Sequence, residues 1–188
     1  MRRAAVALLH HPILGRGGEI LTTTLTNLDM HDMSRSCRTY GMEGLYVVHP
    51  LASQRMVAER VRRHWVDGPG GKRIPDRAEA LRILEVVPEL AEAEARLAER
   101  CGVGEVELWT TAAAEKGGTL TTYAEGRALM QEDGPPVLIL FGTGWGLAPS
   151  VLEGATRRLE PIRSRRDPSF NHPSVRAACA ITLDRLFA

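Results

Sequence analysis

Val137-Leu138-Ile139-Leu140-Phe141 runs straight into Gly142-Thr143-Gly144-Trp145-Gly146-Leu147, and the reading of this stretch decides the fold. Apolar residues in an unbroken run, without alternation, mark a central strand buried on both faces, as in parallel sheets covered by helices. The alternating glycines at its carboxyl end let the backbone approach a ligand and present its N–H groups. In an open α/β sheet that end of the strands is where ligands bind. The stretch therefore predicts a parallel sheet with a nucleotide-like ligand at its edge. It is not a dinucleotide fingerprint, because the spacing is Gly-x-Gly-x-Gly and no helix opens before Pro149. Nor is it a phosphate loop of the Gly-Lys-Ser/Thr kind. A tight structural turn is the plainer alternative.

Outward from this strand, the chain alternates extended and helical segments. Val6 to Leu9 reads as a first buried strand; with Arg2 and Arg3 ahead of it, the Ala4 to Leu9 run is too short for a signal peptide. Glu19 to Thr26 is Thr-rich and reads as extended chain or loop. Asn27 is a candidate N-cap for a helix over 28–40 that stops at Gly41. Further strands are expected at 44–49, 83–87 and 105–111. Helices are expected at 53–65, from Asp76 through Leu81, from Pro88 to about Cys101, at 121–132 and at 174–187. Asp67 to Gly71 (DGPGG) reads as a plain loop. Glu92 and Arg96 stand at the favourable i, i+4 spacing. The alternation predicts an α/β fold, a mostly parallel sheet with helices on both faces. A single domain over 1–188 is expected, since no linker divides it.

Composition is that of an ordinary globular protein, 44% hydrophobic and 25% charged with a net charge of +1. No run approaches the roughly 18 apolar residues of a membrane span. Cys37, Cys101 and Cys179 are scattered, which favours buried thiols and a cytoplasmic location. No metal-binding spacing of His or Cys is present. Residues 157–166 gather Arg157, Arg158, Arg163, Arg165 and Arg166 against Glu160 alone. Such a cluster suits phosphate binding. It equally suits a solvated face in a chain that uses 22 Arg and 2 Lys by count.

The segment Asn27 to Gly41, NLDMHDMSRSCRTYG, carries Arg35 with a glycine six residues later, and a strand follows. LFGTGWGLAP, Leu140 to Pro149, is a strand-Phe-Gly loop. Leu159-Glu-Pro-Ile162 is followed by Ser169-Phe-Asn-His-Pro-Ser-Val-Arg176 and an Ala-rich helix. Together these resemble the three motifs of the SPOUT class of SAM-dependent RNA methyltransferases, and nearly end to end a bacterial group described as a SAM-dependent RNA methyltransferase domain. Departures are Thr143-Gly144 where the class usually has Pro-Glu, the insertion-like Arg163 to Pro168, and Pro173.

The resemblance implies a C-terminal trefoil knot, a homodimer, an RNA substrate (tRNA or rRNA), S-adenosyl-L-methionine (SAM) as methyl donor, and no metal or membrane partner. For the donor it points to Thr111, Phe141, Gly142, Thr143, Gly144, Gly146, Ile162, Asn171, Ser174 and Val175. For the acceptor it points to Arg35. A guanidinium is almost always protonated, so Arg35 is expected to orient RNA through paired hydrogen bonds. Asp32, one turn before it, is expected to orient Arg35 or to act as base; a surface ion pair is the plainer reading. Arg163, Arg165 and Arg166 are the expected RNA contacts. Asn27 is weighed as a helix cap ahead of any role in catalysis. His31 is a candidate for the acceptor side and His172 a support for the donor loop. Trp145 reads as a hydrophobic plug, with a base-stacking surface as the alternative; Tyr40 and Trp109 read as core. Two other functions fit less of the chain: a nucleotide-using α/β enzyme, and a non-catalytic RNA-binding protein that keeps the fold.

Overall fold

The structure is a computed structural model and describes residues 1–111, 118–164, 166–167, 169 and 171–188. The chain opens with strand β1 (Ala4–Leu9), a short hairpin of β2 (Ile13–Leu14) and β3 (Ile20–Leu21), and helix α1 (Asn27–Thr39). Strand β4 (Leu45–Val48) leads to helices α2 (Ala52–Val66), α3 (Pro69–Arg73) and α4 (Pro75–Leu81). Strand β5 (Leu84–Val87), helix α5 (Leu90–Cys101), and strands β6 (Glu107–Thr110) and β7 (Thr119–Thr121) follow. The last part comprises α6 (Tyr123–Gln131), β8 (Val137–Gly142), α7 (Pro149–Glu153), β9 (Arg157–Leu159) and α8 (Val175–Phe187).

Seven strands form one sheet in the order β5-β4-β1-β8-β6-β9-β7, and its strand pairs are parallel. The apolar run of β8 lies at the centre, between β1 and β6, with Ala4 opposite Val137 and Leu9 opposite Gly142. Side chains alternate between faces along a strand, and here both faces are dry. Val6, Leu8, Ile139 and Phe141 join Met30, Met33, Cys179, Leu183 and Leu186 on one side, under α1 and α8. Ala5, Ala7, Leu9, Leu138 and Leu140 join Leu97, Val151 and Leu152 on the other, under α5 and α7. Burial of each such Leu or Phe contributes about 1.5–3 kcal/mol.

Gly41, at φ +69°, ends α1 as expected. Its N–H donates to Arg38 O (3.3 Å) and the Met42 N–H to Cys37 O (2.9 Å), the paired bonds of a Schellman motif. Cys37 and Cys179 are buried, and Cys101 is only half-buried. The expected Glu92–Arg96 pair is present.

Several local expectations are corrected. The N-cap of α1 is Thr26, whose hydroxyl accepts the Asp29 N–H at 3.2 Å; Asn27 is the first helical residue. Pro75, not Asp76, opens α4, and α5 begins at Leu90 rather than Pro88. DGPGG is not a plain loop: Pro69 starts a helical turn that packs against α2. A Cβ on Gly71 would sit 2.3 Å from Trp65 O, and one on Gly70 2.9 Å from the Trp65 ring. The glycines permit close packing there rather than a free turn. Thr119–Thr121 is a strand, and the helix after it starts at Tyr123 behind a Thr122–Glu125 capping box. Its parallel partner β9 is built from Arg157-Arg158-Leu159, which removes two arginines from the expected basic loop. Arg157 lies 3.9 Å from the Glu107 carboxylate and 5.9 Å from the Trp109 ring centroid.

Candidate functional site

At the carboxyl ends of β8 and β1 the chain leaves the sheet twice, and the two exits are stitched together. Gly144 and Gly146 take φ +56° and +111°, backbone that side chains rarely adopt, so the loop folds back on itself. The Trp145 N–H donates to Leu14 O (3.0 Å), and the Leu14 N–H donates to Gly146 O (2.9 Å). The glycine loop is thereby held on β2 and forms one wall of a cleft of about 520 Å³.

The cleft gathers residues distant in sequence. Phe141, Gly142, Thr143, Gly144 and Gly146 come from the β8 exit, Thr111 from the β6 exit, and Ser174 and Val175 from the start of α8. Ser174 also caps α8, accepting the Ala177 N–H at 3.2 Å. Two expected donor residues do not line it. Ile162 packs half-buried against the core cluster under the helices. Asn171 is exposed. Thr23, Thr26, Asp29 and Leu147, which no motif marked as donor contacts, also face the cleft, as does Trp145. His172 is there too, its ring 5.9 Å from that of Trp145.

The threonine run earns its place through two buried histidines. The Thr23 hydroxyl lies 3.1 Å from His10 Nδ1 and 2.5 Å from the Thr143 hydroxyl. His49 Nδ1 accepts the Leu51 N–H at 3.2 Å, so its Nε2 carries the proton and donates to Thr23 O at 3.0 Å. The two imidazoles stack at 5.2 Å. Burial, reinforced by His49, pushes His10 down to about 4, and burial also lowers His49. Both rings are neutral near pH 7 and serve as uncharged hydrogen-bonding struts behind the cleft.

Asp29 brings to the cleft the one buried carboxylate among the described residues, at 4% exposed. It accepts from Arg176 Nη1 and from the Thr26 hydroxyl, each at 2.5 Å. Arg176 also reaches Asp32, Nε to Oδ2 3.5 Å. The expected Asp32–Arg35 pair is therefore corrected: Asp32 turns toward α8, where Arg176 offers a partner already held by Asp29. Arg35 is exposed, and among the described residues no carboxylate lies within ion-pairing distance of it. With Asp32, Ser36, Thr39 and Tyr40 it lines a separate shallow groove. His31 instead stands edge-on to Trp65, ring centroids 5.3 Å apart.

Arg163 is exposed beside Tyr123, Glu160, Pro161 and Arg185. Arg166 is exposed on a turn in which its N–H donates to Ser164 Oγ at 3.1 Å. Arg165 lies outside the described residues. Among the described residues no helix is long and apolar enough to cross a membrane. Nor does any group of three His, Cys, Asp or Glu side chains gather there to hold a metal ion.

Comparison with known proteins bears on the family and the fold. A protein named tRNA (guanine-N(1)-)-methyltransferase from Nitratidesulfovibrio vulgaris is 44% identical over 185 residues, which is 98% of this chain and 42% of that protein. The chain thus spans about two-fifths of the length of that relative. An uncharacterised protein from Aquifex aeolicus is 34% identical over 183 residues, 97% of this chain and 87% of that protein. In fold, the chain is similar to the SpoU methyltransferase AviRb of Streptomyces viridochromogenes, solved with AdoMet. There the TM-score is 0.54 at 14% identity, over 98% of this chain and 59% of that one. A family described as SAM-dependent RNA methyltransferase matches residues 3–188, and the chain belongs to that family.

Proposed function

We propose that residues 1–188 act as one SAM-dependent methyltransferase domain that methylates RNA, tRNA or rRNA, on a base or a ribose 2′-oxygen. The observation that carries this reading is the cleft at the carboxyl edge of the central strand, where all three motif segments meet. Its volume falls in the usual range for small-ligand pockets, roughly 300–1,000 Å³. The residues suit SAM. Phe141, Leu147, Val175 and Ala178 give an apolar wall, the glycine loop gives backbone without side chains, and Thr and Ser hydroxyls with the Asp29 carboxylate give polar anchors. A Cβ added at Gly146 would meet no atom within 4 Å, so the loop is open where a ligand would lie against it.

SAM bound here supplies a methyl group already activated on a sulfonium, leaving an in-line displacement. This chain's work is then to hold donor and acceptor in line, exclude water and let the acceptor lose its proton. Gly142, Thr143, Gly144 and Gly146 hold the donor with Thr111, Ser174 and Val175. Arg35 orients the acceptor strand with two parallel hydrogen bonds, and Asp32 is the nearby carboxylate able to take a proton. Arg35 lies six residues beyond Asp29, about 9 Å along the helix axis. We infer that a homodimer brings the Arg35 face of one copy to the donor cleft of the other. Arg163 and Arg166 contact phosphate, the C-terminal segment is knotted as in the SPOUT class, and the protein works in the cytoplasm.

The deciding experiment incubates the chain with tritium-labelled SAM and total RNA and counts label retained with RNA. Transfer is expected, and nuclease treatment should release it. Binding of S-adenosylhomocysteine (SAH) without any transfer would make the protein a non-catalytic RNA binder.

A further inference from the structure

Trp145 stands apart from its neighbours in the glycine loop. Phe141 and Leu147 are 1% and 2% exposed, while Trp145 is 58% exposed. The expected hydrophobic plug is therefore Leu147, and the indole is left at the rim of the cleft. It is not a loose side chain on a loose loop. Its own N–H and the carbonyl of the next residue are both hydrogen-bonded to Leu14, and the glycines on either side take positive φ. The backbone is thus built to turn residue 145 outward and to keep it there. His172 supports it at 88° between ring planes, an edge-to-face arrangement that steadies an aromatic ring.

A rigid, exposed indole at the mouth of a cleft suits a flat aromatic ligand, and every nucleobase has such a face. We propose that Trp145 is the platform on which the acceptor nucleobase of the RNA stacks as it reaches the cleft. This deepens the methyltransferase reading and rests on it. A base inside a duplex has no free face for a second ring. The substrate class is accordingly an unpaired nucleotide, in a loop or bulge or extruded from a helix. Stacking is tolerant of base identity, so Trp145 positions the base and leaves its selection to other groups. The adenine of SAM is the less suitable guest. The enclosed wall of Phe141, Leu147 and Val175 is the place for the donor, and the indole lies outside it.

The test uses the full chain saturated with SAH, with a single-stranded adenylate 12-mer as probe. Trp109 is fully buried and Trp65 half-buried, so subtracting the emission of Trp145→Phe isolates the Trp145 signal. The oligomer should quench that signal. Trp145→Ala should weaken oligomer binding about 5- to 150-fold, Trp145→Phe should restore most of it, and SAH affinity should stay within about twofold of wild type. A parallel loss of SAH affinity in Trp145→Ala would assign the indole to the donor and overturn the proposal. So would unchanged oligomer binding without quenching. A blue shift of Trp145 emission with protein concentration, before RNA is added, would assign it to a contact between copies and overturn it likewise. If wild type binds no SAH at all, the methyltransferase reading fails, while the quench still reports on the platform.

Discussion

Helix α1 meets the cleft at its first turn and carries an exposed polar face on its later turns, and the side chains there differ accordingly. Asp29 is buried, accepts from Arg176 and Thr26, and faces the cleft. Arg35, on the same helix, is exposed and lines another groove. The cleft end is braced within one chain: Asp29 is tied to Arg176 and Thr26, and Thr23 to His10 and Thr143. The Arg35 end, where we place the acceptor, presents an exposed cation. Groups that must grip a small ligand repeatedly gain from being held in place beforehand. A group that meets RNA needs access, and exposed charge is cheap to keep in water. Arg176 joins the two ends, since it contacts both Asp29 and Asp32.

The contrast can be broken most directly at Arg35. Arg35→Ala should lower methyl transfer by about 100-fold or more, the scale for losing a group that aligns the reactants, and leave SAH affinity and melting temperature near wild type. Arg35→Lys should rescue poorly, because an ammonium cannot reproduce the paired contact. Near-normal transfer by Arg35→Ala would move the acceptor site elsewhere. A parallel loss of SAH affinity would erase the division between the two ends.

At Asp29 the opposite signature is expected. Asp29→Ala removes the partner of Arg176 and the acceptor of the Thr26 hydroxyl. Stability should fall by on the order of 2–4 kcal/mol in chemical denaturation, and SAH should bind more weakly. Asp29→Asn keeps an acceptor for Thr26 and should recover part of the stability. If Asp29→Ala unfolds at the wild-type midpoint, the buried carboxylate is not structural.

The donor end should also be the pH-sensitive one. His10 sits near 4 in the folded protein, below its ordinary value of about 6.5. The unfolded chain therefore binds the extra proton first as pH falls. The associated stability is complete above about 6.5 and is lost between there and about 4, amounting to roughly 3 kcal/mol at most. His49 titrates in the same direction and Asp29 opposes it by stabilising the charged form. Melting curves of His10→Gln should show a shallower fall over this window. An unchanged slope would place the acid sensitivity elsewhere.

Much of the layout was legible because it follows from local rules. The unbroken apolar runs of β1 and β8 demand a sheet covered on both faces, and the glycine stop after α1 needs only positive φ. The cleft-facing segment 141–146 was legible for a similar reason: a strand ending in alternating glycines has few other uses. Where residues had two local readings, partners decided. Thr26 rather than Asn27 caps α1, Gly70 and Gly71 pack a helix rather than bend a loop, and Arg157-Arg158 became an inner strand. Charge alone cannot show an arginine opposite Glu107 and over Trp109.

The sequence by itself determined the parallel sheet and the glycine loop that forms one wall of the cleft, since burial pattern and backbone freedom are properties of short segments. Only the tertiary structure decided that Thr23 and Asp29 join that wall, that Asp32 turns from Arg35 to Arg176, and that Trp145 is held outward while Leu147 fills the core. These outcomes depend on which elements meet across more than a hundred residues, such as Arg176 on Asp29 at a separation of 147. Contacts of that range leave no period or spacing in the chain.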